Sequence, residues 1–310
     1  MKLSSSTGDF SRYFSSTADK VRAFRETKFR YLNTELTGDA ILGEMASLDI
    51  LAHELSEAAK YANVSLITSH APCLNCFDTV KGHGYKQTAE IMKRAITLCG
   101  MLKIPSIVIH ASRIIGASDD EFYEKNRDFY RLLLPTAEKY GIEILTENMQ
   151  YYDGHPLSTG KELRRFVDYV DHPLFGVCWD TAHGNLNPFA KEEGQYKCIT
   201  DIGDKLRSMH VSDNFGDGAH HHTWPFAGII NFDEVVQGLI DVGYKGFFNF
   251  EASYSLIHHL NLPYHRKPWE REGEVVTKLL DPSVALKQKA TDLLYECGKY
   301  ILETYDIFEE

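Results

Sequence analysis

The sequence predicts one (β/α)8 barrel, the TIM-barrel fold, spanning residues 1–310 as a single domain. Three observations carry that expectation. Strand-length apolar runs alternate with amphipathic stretches along the whole chain. Eight such pairs fill a length that suits a barrel of roughly 250 residues plus insertions. Several of the runs are apolar on both alternations, as parallel strands buried on two faces require. A doubly wound open sheet is the competing arrangement, but no Gly-rich dinucleotide or Walker loop opens any of the helices.

The strands are read in order as KLSSST (2–7), FRYLNTEL (29–36), VSLITSH (64–70), SIVIHAS (106–112), IEILTEN (142–148), FGVCWD (175–180), LRSMHVSD (206–213) and GFFNFEA (246–252). Helical spacing of apolar residues marks 47–61, 86–101, 120–140, 159–170 and 231–242; in the second of these Ile91, Ala95, Leu98 and Leu102 share a face. A last helix, 283–306, follows Pro282, with Ser283 as its cap and Leu286, Ala290, Leu293, Leu294 and Cys297 on one side. No linker is visible. The longest irregular piece, 254–282, follows strand eight and reads as a lid or insertion.

Composition narrows the function classes. With 33 Lys and Arg against 44 Asp and Glu, the formal charge is −11, which disfavours a nucleic-acid partner. The densest basic stretch, His265-Arg266-Lys267, is short, and together with Arg113 it is a candidate contact for a phosphate. A small carbohydrate-like molecule suits such a chain better. Six scattered cysteines predict a reducing, cytoplasmic setting, and neither a long apolar run nor a charged-then-apolar leader predicts a membrane span or signal peptide. The Asn63-Val64-Ser65 sequon therefore carries little weight. Cys73-Leu74-Asn75-Cys76 has the spacing of a zinc or redox pair, yet no second pair accompanies it. Composition leaves a homo-oligomer open.

The chemistry sits at the strand ends. Strands three to eight carry, in order, His70, His110, Glu147, Asp180, His210 and Glu251, spaced by 40, 37, 33, 30 and 41 residues. That is the pace of one β/α unit, so each unit delivers one ligand-type side chain to the same barrel mouth. Taken singly, each has a plainer explanation: a helix-entry acid, half of an ion pair, a hydrogen-bonded core histidine, or a turn-capping aspartate in DTAHGN. Taken together, three acids converging in an apolar barrel repel one another unless a cation lies between them, and a divalent metal is the direct solution. His183, three residues beyond Asp180, reaches the same cavity. The stretch MHVSDNFGDGAHHHTWPFAGIINF adds His222 facing the cavity, leaves His220 open, and makes His221 solvent-facing or structural. Trp224 and Phe226 either wall the mouth or pack on the surface.

The segments VCWDTAHGN, MHVSDN followed by HTWPFAGIINF, and FFNFE, with SHAP (69–72) and VIH (108–110), resemble the sugar phosphate isomerase/epimerase family, the xylose isomerase-like barrels. The resemblance runs over nearly the whole chain. It implies a metal held by Glu147, Asp180, His210 and Glu251, with Glu147 and Glu251 as the acid/base pair and His183 touching a substrate oxygen. One departure is clear: Asn214, Phe215 and Gly216 stand where ketose 3-epimerases carry an arginine, which weighs against that particular reaction. The same superfamily includes endonuclease IV, a three-zinc enzyme. His70, His110, Glu147, Asp180, His183, His210, His222 and Glu251 match its ligand positions, with His220 where it has an aspartate.

The resemblance thus implies proton transfer between carbons of a sugar, sugar phosphate or cyclitol, through an enediolate stabilised by one divalent metal. Three carboxylates and one imidazole favour Mn²⁺, then Co²⁺, Mg²⁺ or Zn²⁺, with further Zn²⁺ at His70, His110, His183 and His222 left open. The alternatives are an inosose dehydratase-like lyase and a multi-zinc phosphodiesterase of the endonuclease IV type.

Overall fold

The computed structural model describes residues 1–36, 41, 46–78, 83–150, 155–218, 221–252, 256, 269–276 and 282–310. Eight parallel strands form the barrel: β1 (Leu3–Ser6), β2 (Tyr31–Glu35), β3 (Ser65–His70), β4 (Ser106–Val108), β5 (Glu143–Glu147), β6 (Phe175–Asp180), β7 (Leu206–His210) and β8 (Phe248–Phe250). Neighbours in sequence are neighbours in the sheet, and β1 also pairs with β8. Just beyond β7, Val211 bridges to Phe250 and its N–H donates to Asn249 O at 2.8 Å, which closes the ring.

Each strand has two faces because side chains alternate with period two. The outer set packs against the helices: Leu32, Ile107, Ile144, Val177, Trp179, Met209, Phe248 and Phe250 all belong to the main core. The inner set holds only a small separate apolar cluster, Val108, Leu145 and Cys178. The remaining inner positions are polar, among them Ser4, Asn33, Ser208 and Asn249, all buried. The barrel therefore has an apolar shell and a polar lumen, and the lumen leads to the strand ends.

Helices Ala46–Ala62, Gly84–Leu102, Asp119–Tyr140, Gly160–Val170, Phe232–Asp241 and Val284–Thr304 cover the strands. All six agree with the amphipathic stretches to within two residues. Their starts are written in the sequence. Ser118 and Ser283 accept from backbone N–H groups in the first turn, and Thr159 with Glu162 forms a reciprocal capping box. The final helix is tied to the segment after β1, where Asp9 accepts from buried Lys287 and from Thr291 Oγ1.

The sequence reading missed the helix Thr17–Ala23 and three short ones between β6 and β7, Thr181–Leu186, Pro188–Glu193 and Gln195–Ile202. Each is too short to show a helical period, and Asn187-Pro188 and Gly194 break the last three apart. Strands four, seven and eight are shorter than read, and β8 begins at Phe248. Beyond Val108, His210 and Phe250 only isolated cross-strand bonds continue, such as Ile109 N–H to Leu145 O and Glu251 N–H to Val211 O. Within the expected lid, residues 269–276 form an exposed antiparallel hairpin, Trp269–Arg271 with Glu274–Val276, turning through Glu272 and Gly273 at positive φ. The rest of that segment, with Arg266 and Lys267, lies outside the described residues apart from Leu256 and Pro282. No described helix is long and apolar enough to cross a membrane.

Candidate metal centre at the barrel mouth

Ladder register brings the strand ends to one level. Asp180 pairs with His210, Glu147 with Cys178, and Glu35 with His70. Two of these alignments need a one-residue irregularity, between Val177 and Cys178 and between Leu32 and Asn33. The result is that one ligand atom from each of Glu147, Asp180, His210 and Glu251 lies within 4.8 Å of the others. These are the four residues expected to hold a metal.

The contacts among them are short. His210 Nδ1 lies 3.1 Å from Glu147 Oε1 and 2.7 Å from Glu251 Oε2. Glu147 is 1% exposed and its other oxygen, Oε2, lies 3.0 Å from His110 Nε2 and 3.5 Å from His70 Nε2. His183 Nδ1 approaches Glu147 Oε1 to 3.3 Å. Asp180 does two jobs: Oδ1 caps the next helix by accepting from His183 N at 2.6 Å, while Oδ2 is buried and has no hydrogen-bond partner. A buried carboxylate oxygen left this way is costly, and a cation between the four donors would satisfy it. On that observation the donor set fits a divalent metal.

The histidines are oriented as ligands are. His70 Nδ1 lies 2.7 Å from Ala71 O, His183 Nδ1 2.9 Å from Asn148 O, and His222 Nδ1 3.0 Å from Glu251 O. A backbone carbonyl only accepts, so each Nδ1 carries a proton, and Nε2 is the ring nitrogen that each histidine has free to offer a metal once deprotonated. His210 is the reverse. Its Nδ1 faces the carboxylates, and its Nε2 lies 3.5 Å from the side-chain amide of buried Asn33, whose Oδ1 has no partner. Turning that amide over puts the oxygen on Nε2–H and leaves the Nδ1 lone pair facing the carboxylates.

Electrostatics tell the same story. Burial alone pushes the Glu147 carboxyl up, but His210 charge and hydrogen bonds from His110, His183 and His210 hold it well below the usual range. Glu251 is likewise held down against burial, chiefly by His210. Burial opposes charge on His210 too, yet Cys178, Glu147 and Glu251 drive it well above the ordinary imidazole value. His183 is raised to about 9 against burial, first by Asp180. In the absence of a metal ion, protonated imidazoles neutralise the acids. His110 goes the other way, lowered by burial.

Two further ligand groups flank the four. His70, Cys73 and His110 form one, with the two Nε2 atoms 3.0 Å apart; Asp180, His183 and His222 form the other. Cys73 thus sits at the mouth, exposed at its surface but packed toward the ring, and its thiol is raised above the ordinary value by partial desolvation and the nearby carboxylates. No described ligand group includes Cys76, which is buried below with its N–H donating to Ser112 Oγ at 3.1 Å. His221 is not solvent-facing: it is buried, with its ring 4.9 Å from that of Phe215, a structural role. His220 lies outside the described residues. Trp224 packs on the core, whereas Phe226 is 59% exposed with φ of 73°.

Sequence reasoning started the ring at β3 and so missed two residues of β2. Asn33 touches His210, and Glu35 stands at the strand end beside His70. The signal was available, since Glu35 precedes His70 by 35 residues, the same pace as the rest of the ring.

Comparison with known proteins agrees with this architecture. The chain is 26% identical over 121 residues to a ketose 3-epimerase of Arthrobacter globiformis, covering 39% of this chain and 38% of that one. It is 25% identical over 155 residues to a probable endonuclease 4 of Cenarchaeum symbiosum, covering 46% and 54%. The match to a D-psicose 3-epimerase of Ruminiclostridium cellulolyticum is 24% identical and covers 64% and 67%. The chain spans about half the length of the curated relatives it matches. A solved D-tagatose 3-epimerase-like protein superimposes with a TM-score of 0.70 at 21% identity, over 98% of this chain and 100% of that one, which establishes the fold. Residues 21–276 match the family model described as a xylose isomerase-like TIM barrel, and the chain belongs to that family.

Proposed function

We propose that this protein is a cytoplasmic, divalent-metal-dependent isomerase or epimerase of a sugar, sugar phosphate or cyclitol. One observation carries the reading. Two carboxylates, Glu147 and Glu251, flank one imidazole, with His210 Nδ1 within 3.1 Å of both. They come from different strands, so they can reach two faces of one carbon or two adjacent carbons. Sugar epimerases among the relatives support the substrate class.

Glu147, Asp180, His210 and Glu251 would hold the metal. When bound, a divalent cation, Mn²⁺ by preference, supplies a Lewis acid and a chelating template for an α-hydroxy carbonyl compound. The side chains supply the proton transfers. Glu251, 22% exposed at its side chain, is the more open of the two acids and takes the proton on carbon; Glu147, 1% exposed, returns one from the other side. Both are held ionised by the imidazoles around them, so Glu251 starts as the proton acceptor. Glu147 takes a proton from protonated His183, whose Nδ1 lies 3.3 Å from its Oε1, before returning one to carbon. His183, fixed by Asn148 O and the Asp180 cap, presents Nε2 to a substrate oxygen.

The two flanking ligand groups favour a second reading, a multi-zinc phosphodiesterase. The charge of −11 weighs against a polyanionic substrate. Metal content per chain distinguishes the two. About one equivalent of manganese, cobalt or zinc, lost in His210→Ala but kept in His222→Ala, supports the isomerase. Two or three zinc ions, some lost in His222→Ala, supports the phosphodiesterase. No metal in purified protein and none on titration overturns both.

A further inference from the structure

We propose that Glu35 is a substrate-orienting carboxylate, accepting hydrogen bonds from hydroxyls of the sugar on the side of the mouth opposite Asp180. This inference rests on the sugar reading above and adds a specificity-determining residue to it.

Three features place the side chain. On β2, Asn33 points into the lumen, where its amide meets His210 Nε2, so Glu35 two residues on points the same way at the strand end. Glu35 pairs in register with His70, which belongs to the ring of ligand-type residues. In an eight-strand barrel β2 lies across from β6, the strand that ends in Asp180.

The surroundings hold that carboxylate deliberately. Ser6 Oγ donates to Oε1 at 2.7 Å, and the Glu35 backbone N–H donates to Thr7 Oγ1 at 2.9 Å. Gly8 makes the room, because a Cβ there would stand 1.8 Å from Glu35 Oε1. Burial and then the charge of Glu251 disfavour ionisation of Glu35, while Ser6, His70 and Lys20 favour it. Among the described residues Ser6 is the one hydrogen-bond donor to this carboxylate. A carboxylate has about four acceptor positions, and the described residues fill one of them with Ser6 Oγ.

A polyol supplies donors to the others. A sugar held through its carbonyl and neighbouring hydroxyl near Asp180 and His210 extends its remaining hydroxyls toward β1–β3. There a carboxylate accepts from a hydroxyl more strongly than a neutral group does. Lys20, 4% exposed, stands near enough for its charge and that of Glu35 to favour each other, although burial and Glu251 raise the Glu35 carboxyl overall.

The test is calorimetric titration of the manganese-loaded full chain with D-psicose, D-tagatose and L-ribulose, in wild type, Glu35→Gln and Ser6→Ala. Metal content and thermal unfolding are measured on the same samples. Glu35→Gln should weaken binding of the preferred sugar about 10- to 100-fold with metal content and folding unchanged. Ser6→Ala, which leaves the charge but removes its orienting donor, should give a smaller loss, and it carries the test should Glu35→Gln fail to fold. Equal affinity in wild type and both variants overturns the role of Glu35 and leaves the sugar reading standing. Wild-type protein that loads metal but binds none of the three sugars overturns both.

Discussion

The two arcs of the barrel mouth are built from opposite materials. On β5–β8 the strand ends carry Glu147, Asp180, His210 and Glu251, and the acids find their counter-charges only in imidazoles of the same cluster. Asp180 Oδ2 makes no hydrogen bond and has only His222 Nδ1, 3.9 Å away, as a neighbouring counter-charge. On β1–β2 the ends carry Ser6, Thr7 and Glu35, where hydroxyls and a glycine-made space accommodate a single acid. One arc crowds acids and imidazoles together and leaves a buried carboxylate oxygen without a hydrogen bond. The other seats its one acid beside hydroxyls, with Ser6 Oγ filling one acceptor position among the described residues. The difference separates chemistry from recognition, and it can be tested arc by arc.

The largest effect belongs to the β5–β8 arc. Glu251→Gln should lower turnover of any accepted sugar by about two to four orders of magnitude while some metal is retained, since the amide coordinates weakly but cannot take a proton. Steady-state assays with metal analysis on the same protein check this, and near wild-type turnover would remove Glu251 from the mechanism. Next comes the residue that joins the arcs. Asn33→Leu should weaken manganese binding about 10- to 100-fold, measured by chelator competition, because His210 loses the partner that fixes its tautomer. Asn249→Ala is the control: it too is buried in the lumen, but its recorded partner is Ser4 rather than His210. An equal loss in both variants would mean that Asn33 only supports the fold.

The smallest effect on the chemistry is expected outside both arcs. His155 is buried, and burial lowers it to about 4, below its ordinary 6.5. A histidine kept neutral in the folded state contributes its stability above about pH 6.5 and loses it as pH falls toward 4. The loss is about 3 kcal/mol at most. Chemical denaturation at several pH values should show a shallower acid-side decline in His155→Phe than in wild type, with metal content unchanged. Parallel declines would place the acid sensitivity in the mouth instead.

The reading of β3–β8 rested on runs such as EILTE and FFNFE, where an acid closing an apolar stretch stands out. FRYLNTEL is already polar, so its terminal Glu35 attracted no notice despite the matching interval. The inner face of β2 is polar because the lumen is, and a polar lumen is not visible in a pattern meant to find apolar ones. The short helices after Asp180 escaped for a related reason: one or two turns cannot display a period. For His221 the sequence left two alternatives, solvent-facing or structural, and only the packing against Phe215 decides for the second.

Local pattern by itself determined the eight strands, their order, the six longer helices, and which ligand-type side chain each later strand carries. These follow from periods of two and 3.6 residues and from capping residues, all written within short windows. Tertiary structure decided what those side chains do to one another. Closure through Val211 and Phe250 brings Glu251 to His210, and register irregularities in β2–β3 and β6–β7 level the strand ends. Backbone carbonyls at Ala71, Asn148 and Glu251 choose the histidine tautomers. Apart from that between His70 and Ala71, such contacts join residues tens of positions apart, and their geometry depends on ring closure, which no window of sequence contains.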